Sequence, residues 1–247
     1  MKKIFLLGLL LLTSACQTTA PTATSSPLPT ITPPPPTPIP FTSTPAPTST
    51  PSPSPTPLPR YFTTKFDVSL AGWVILQAGS EAAPNVNAES GKLQLRMDIP
   101  YTWLYALYGA HDYDNVRVDT QFVNNALTPV SIGLICRYSE AKGWFEYNIS
   151  TDGTYNVLYG KWLANGIVEY LPITFGSSKE IQPSGSVQQI GLTCSDTTLL
   201  LYIDNQLIRQ VNVSRYELSE GKVGIAIASY ENVPVVTAFD WVKIEAP

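Results

Sequence analysis

A single histidine, His111, and only three cysteines leave this 247-residue chain short of the groups most enzymes work with. Any Ser-His-acid triad would have to be built on His111, and there is no Gly-x-Ser-x-Gly elbow to carry its nucleophile. A zinc site needs several neighbouring Cys or His ligands, which are missing. No glycine-rich stretch offers a phosphate cradle. Helical periodicity is hard to find. Beyond the first residues no apolar run approaches the roughly 18 needed to cross a bilayer. Basic residues do not cluster. Two of the 15 Lys+Arg are Lys2 and Lys3, so residues 60–247 hold 13 against 19 Asp+Glu, a balance of −6. That argues against nucleic acid and against an anionic membrane surface as partners. Between residues 17 and 59 charge is absent altogether.

What is present begins with a leader. Met1-Lys2-Lys3 gives a positive start, residues 4–12 are apolar apart from Gly8, and Thr13-Ser14-Ala15 precedes Cys16. This is the pattern of a secretory signal, too short to span a membrane. The segment resembles a bacterial lipoprotein signal, with Thr13 where leucine is commonest. The resemblance implies that residues 1–15 are removed and that Cys16 takes lipid and anchors the protein. Gln17, in place of a retaining aspartate, implies the cell surface or the outer face of a membrane. An ordinary signal peptide with an incidental cysteine is the alternative.

Residues 16–59 read as a tether. Sixteen of the chain's 23 prolines fall here among Thr, Ser and Ala. Proline fixes φ and removes amide donors, and little apolar surface is available to offset ordering, so a disordered spacer is expected. In polyproline II geometry its 43 residues after Cys16 could reach roughly 130 Å. The composition permits O-glycosylation. A ligand for a proline-binding domain is the competing reading, but no basic residues flank the prolines.

Residues 60–247 are expected to form one all-β domain, a two-sheet antiparallel sandwich. Short runs rich in Val, Ile, Tyr, Trp and Leu are separated by turn residues every eight to twelve positions. Asp152-Gly153 and Asn165-Gly166 are pairs that accept positive φ in tight hairpins, and Asp204-Asn205 tolerates the same region. Strands Gly221–Ser229 and Val235–Ile244 close the chain. With Cys16 lipidated, Cys136 and Cys194 remain as an even pair in an oxidising compartment. A disulfide between them, worth on the order of 4 kcal/mol by chain entropy, is expected. Two buried thiols on separate strands are the alternative.

The stretches VSIGLICRYSEAKGWFEYNISTDGTYNVLYGKW, QQIGLTCSDTTLLLYIDNQLI and SEGKVGIAIASYENVPVVTAFDWVKIEAP, with KFDVSLAGWVILQ and GKLQLRMDIPYTW upstream, carry a resemblance. Over residues 62–246 the chain is similar to the concanavalin A-like lectin/glucanase superfamily, more narrowly to laminin-G-like and 3-keto-disaccharide hydrolase domains. The matching positions include Gly133, the Asp152-Gly153 hairpin, Tyr202 before Asp204, Gly221, Gly224 and Phe239-Asp240. They imply a jelly-roll fold and no catalytic residue. Glucanases of this superfamily set carboxylates two residues apart on one strand, where acid and nucleophile flank the glycosidic bond. Here Glu146 is followed by Asn148, Glu169 by Leu171 and Glu217 by Ser219.

Aromatic residues are the best functional candidates. Tyr101, Trp103 and Tyr105 alternate, so a strand would place all three rings on one face, and flat rings stack on sugars. Tyr108, Trp144 and Trp162, with Tyr147 and Tyr155, come from nearby segments. Filling the sandwich core is the other use for such rings. No cofactor is expected. The one candidate metal site is calcium at Asp112 and Asp114 in His111-Asp112-Tyr113-Asp114-Asn115, read alternatively as a solvated loop before a strand at 116–122. The sequence thus points to a monomeric surface lipoprotein whose sandwich binds glycan or another extracellular polymer without catalysis. A glycoside or 3-keto-disaccharide hydrolase using carboxylates from separate strands is one alternative. A protein-recognising adhesive module is the other.

Overall fold

In the computed structural model residues 57–67, 69–125 and 129–247 are described. The expected lipidation site Cys16, the signal peptide and the proline-rich stretch as far as residue 56 lie outside the described residues. The described residues fall within one compact unit.

Period-two alternation builds two antiparallel sheets. The eight-stranded sheet runs β13 (Gln206–Asn212), β12 (Thr198–Ile203), β11 (Val187–Ser195), β6 (Val116–Asn124), β15 (Val235–Glu245), β4 (Lys92–Met97), β3 (Asn85–Glu89). Short β1 (Phe62–Thr64) also pairs with β15. The seven-stranded sheet runs β10 (Ile167–Ser177), β9 (Thr154–Ala164), β8 (Gly143–Ser150), β7 (Ser131–Ser139), β14 (Gly221–Ala228), β5 (Trp103–Tyr113), β2 (Trp73–Ala78). In β4, Leu93, Leu95 and Met97 are buried while Lys92 and Gln94 face out; β12 does the same with Leu199, Leu201 and Ile203. From the other sheet come Leu104 and Ala106, Ile132 and Leu134, Phe145 and Tyr147, and Val223, Ile225 and Ile227. Each large apolar side chain so buried stabilises the fold by about 1.5–3 kcal/mol.

The bridge Cys136–Cys194 is present, joining β7 of one sheet to β11 of the other across a sequence separation of 58. All three expected hairpins form. Gly153 (φ 87°) and Gly166 (φ 74°) turn β8 into β9 and β9 into β10, and Asp204 (φ 47°) with Asn205 (φ 63°) turns β12 into β13. The loop reading of residues 111–115 is corrected. β5 continues to Tyr113, whose register partner is Gly221 of β14, so only Asp114-Asn115 is left as the turn into β6.

Residues 58–60, the end of the proline-rich stretch and the first residue after it, are held against β5. Tyr108 donates its hydroxyl to the Pro59 carbonyl (2.7 Å), Tyr113 donates to that of Arg60 (2.6 Å), and His111 Nε2 lies 2.9 Å from that of Leu58.

Candidate functional site

β10 and β2 lie at opposite edges of the seven-stranded sheet, yet the chain beyond them meets. The Gly79 N–H, just after β2, donates to the carbonyl of Gly166 in the β9–β10 turn at 3.0 Å. The hydroxyls of Tyr105 on β5 and Tyr170 on β10 are 2.7 Å apart. The sheet therefore curls, and the face turned away from the partner sheet is concave. The β9–β10 hairpin folds over that face.

Beneath the hairpin is a second apolar cluster, separate from the inter-sheet core. Tyr105, Leu107, Ile135, Trp144, Ala78 and Ala226 are buried there, with Trp103, Tyr138, Trp162, Val168 and Tyr170 packed around them. The Trp144 ring lies 5.3 Å from Tyr138 and 5.7 Å from each of Tyr105 and Trp162. Gly160 makes this possible, because a Cβ there would stand 2.4 Å from the Trp144 indole. Gly133 does the same for Asn148, whose Oδ1 would meet a Cβ at 2.1 Å.

One carboxylate sits among these rings. Glu146, 1% exposed, accepts hydrogen bonds from Trp144 Nε1 (3.0 Å), Asn148 Nδ2 (2.9 Å) and the Tyr170 hydroxyl (2.9 Å). Since the Tyr170 proton goes to Glu146, the Tyr105 hydroxyl donates to Tyr170 in turn. Burial pushes the Glu146 carboxyl above its ordinary range against the pull of those three donors, and it pushes the Tyr105 and Tyr170 hydroxyls up as well.

Beside the covered cluster the concave face opens into a cleft of about 740 Å³. Trp162 and Tyr138 line it and are joined, Trp162 Nε1 donating to the Tyr138 hydroxyl at 2.9 Å. Leu76 and Leu107 add apolar surface, while Gln77, Asn165, Glu140 and Lys222 supply polar groups. Lys222 is paired with Asp112 at 3.0 Å. A second cleft, of about 480 Å³, lies elsewhere on the domain between Arg137, Asp114, Asp196 and Glu217. Arg137 is committed there to the carbonyls of Asp114 and Leu218, and among the described residues no aromatic ring lines the walls.

The aromatic stripe expected from sequence is divided by the fold. Trp103 and Tyr105 do share the concave face, but Tyr101 precedes β5 in a turn with φ 52° and is exposed. Tyr105 and Trp144 offer no open ring face, being covered by the hairpin. Tyr108 points the other way, into the inter-sheet core, as do Tyr147 and Tyr155. Trp162 is half-buried on the cleft wall, and Trp103 is half-buried with its ring 6.1 Å from Tyr170. Asp112 and Asp114 are not gathered around a common point of charge: the first pairs with Lys222, the second approaches Arg60 at 3.8 Å. Among the described residues no group of three His, Cys, Asp or Glu side chains is placed to hold a metal. Tyr138, Tyr170 and Glu146 were not singled out from sequence as site residues. The alternation Trp144-x-Glu146-x-Asn148 was the available signal, since it sets all three on one face of a strand.

No protein-family model and no curated protein matches this sequence. Solved structures do. The carbohydrate-binding module CBM66 from Bacillus subtilis is 14% identical with a TM-score of 0.52, over 71% of this chain and 96% of that one. A prokaryotic β-1,3-1,4-glucanase (lichenase) from a mouse hindgut metagenome is 11% identical with a TM-score of 0.54, over 76% and 99%. A protein of unknown function with a galectin-like fold from Bacillus subtilis is 10% identical with a TM-score of 0.56, over 75% and 94%. At these identities the likeness shows the fold alone, a jelly-roll β-sandwich.

Proposed function

We propose that this protein is a surface lipoprotein, anchored through Cys16, whose sandwich binds a neutral glycan chain in the Trp162–Tyr138 cleft without acting on it. The observation that carries the reading is the wall of that cleft. A half-buried indole with its N–H already satisfied by Tyr138 presents a ring rather than a donor, and sugars stack on rings. Gln77 and Asn165 stand on the same cleft, as amides suited to sugar hydroxyls. Its charged groups are Glu140 and the Lys222–Asp112 pair, a balance that disfavours a polyanionic ligand. Similar folds include proteins named as a carbohydrate-binding module and as glucanases, which supports a glycan as the ligand class. The concave side of β8 reads Trp144, Glu146, Asn148, one carboxylate where a glucanase of the superfamily sets a pair, which supports binding over hydrolysis.

Residues 54–247 titrated with a panel of neutral and acidic polysaccharides test this. One neutral class is expected to bind saturably, and Trp162→Ala should weaken it roughly tenfold while cooperative unfolding persists. Undiminished binding by that variant would remove the cleft from the reading. Silence across the panel would leave protein recognition as the better account.

A further inference from the structure

Glu146 is an expensive residue for a purely structural role. A buried ionised carboxylate that has only neutral donors and no cation costs more than an apolar side chain filling the same space. Around it stand the Trp144 and Tyr105 rings and the Asn148 amide, with Asn148 further linked to Asn156 at 3.2 Å. Trp162, Val168 and Tyr170 of the β9–β10 hairpin pack onto the cluster that holds it. The outer side of that hairpin is uncovered, with Leu163 61%, Ile167 57% and Leu171 45% exposed. Its turn is tied to the far edge of the sheet by the Gly79–Gly166 bond, and β10 is itself an edge strand. Tyr170 supplies the link to the buried carboxylate.

From this geometry we infer that the outer part of the β9–β10 hairpin, residues 161–170 beyond the β8–β9 pairing, is a lid latched by Tyr170 on Glu146, and that its opening adds the Tyr105–Trp144–Glu146 face to the cleft as a further glycan subsite. The inference rests on the cleft being a glycan site. A chain longer than the open cleft accommodates would enter under the lid, trading the Tyr170 hydroxyl for its own hydroxyls on Glu146 while stacking on Trp144.

Tyr170→Phe tests it, because the ring stays and only the latching hydroxyl goes. Hydrogen exchange of residues 54–247 should show the Gly79 amide, whose acceptor is the Gly166 carbonyl, exchanging at least tenfold faster in the variant, with β6 and β11 unchanged. In the wild type, a saturating hexasaccharide of β-linked glucose, xylose or mannose that binds should speed exchange at Gly79, whereas the matching trisaccharide should not. The hexasaccharide should also bind Tyr170→Phe three- to tenfold more tightly. Unchanged exchange in the variant would overturn the lid. A hexasaccharide that binds both proteins equally and leaves the Gly79 amide protected would overturn the subsite while keeping the cleft. If no sugar binds either protein, the cleft reading fails and the subsite falls with it, whatever the lid does.

Discussion

The two faces of the seven-stranded sheet are both buried, but by different means and with different contents. Toward β6, β11 and β15 the side chains meet a second sheet, and aliphatic residues line the face together with Tyr108, Tyr113, Phe145, Tyr147, Tyr155 and the Cys136–Cys194 bridge. On the concave side the cover is the sheet's own edge, folded over as β9–β10, and the contents are aromatic rings around a carboxylate. An independent sheet excludes water along its whole length, so polar groups there would cost heavily. A hairpin covers a small area and leaves room at its margin for a cleft. The first arrangement fixes the fold; the second is where polar chemistry is retained.

The comparison can be broken at its strongest point first. Phe145→Ala cuts a fully buried ring out of the inter-sheet core and should cost about 3–5 kcal/mol in denaturant unfolding. A loss below 1 kcal/mol would mean that the two faces do not differ in weight. Replacing both Cys136 and Cys194 by serine removes the tie between the sheets and should cost about 2–4 kcal/mol, read as a lower urea midpoint. No change in midpoint would show that the sheets need no such tie. The smallest effect belongs to the concave side and appears as a pH slope. Burial raises the folded pKa of Glu146, so its contribution to stability is whole below the unfolded carboxyl value of about 4.3 and fades as pH rises through the folded one. Glu146→Gln cannot titrate. The stability of wild type minus that of the variant should therefore fall across this window, and a difference that rises with pH would reverse the assignment.

How much of this was legible in the sequence depends on the range of the interaction involved. The hairpins at Asp152-Gly153, Asn165-Gly166 and Asp204-Asn205 were readable because two residues and their φ preferences decide them. The cysteine pair was readable from parity and an expected oxidising compartment. The end of β5 was not, because His111-Asp112-Tyr113 has loop composition and is drawn into the sheet by β14, more than a hundred residues later. Alternation correctly placed Trp103 with Tyr105 but could not reveal what would lie on top of them. That depends on the approach of Gly166 to Gly79 and of Tyr170 to Tyr105, contacts set by sheet curl. Glu146 drew notice only as half of a missing motif. Its meaning came from Tyr170, a donor on a strand two places away in the sheet.

The three carbonyls gripped by Tyr108, His111 and Tyr113 have a mechanical consequence. Tension drawn along the backbone from residue 57 meets these bonds to β5, at Leu58, Pro59 and Arg60 in turn, before it reaches β1. Strand β5 also carries Trp103, Tyr105 and Leu107. Under the proposed anchoring through Cys16 and glycan binding, drag on the polymer and restraint at the anchor would load the same β-strand from its two sides.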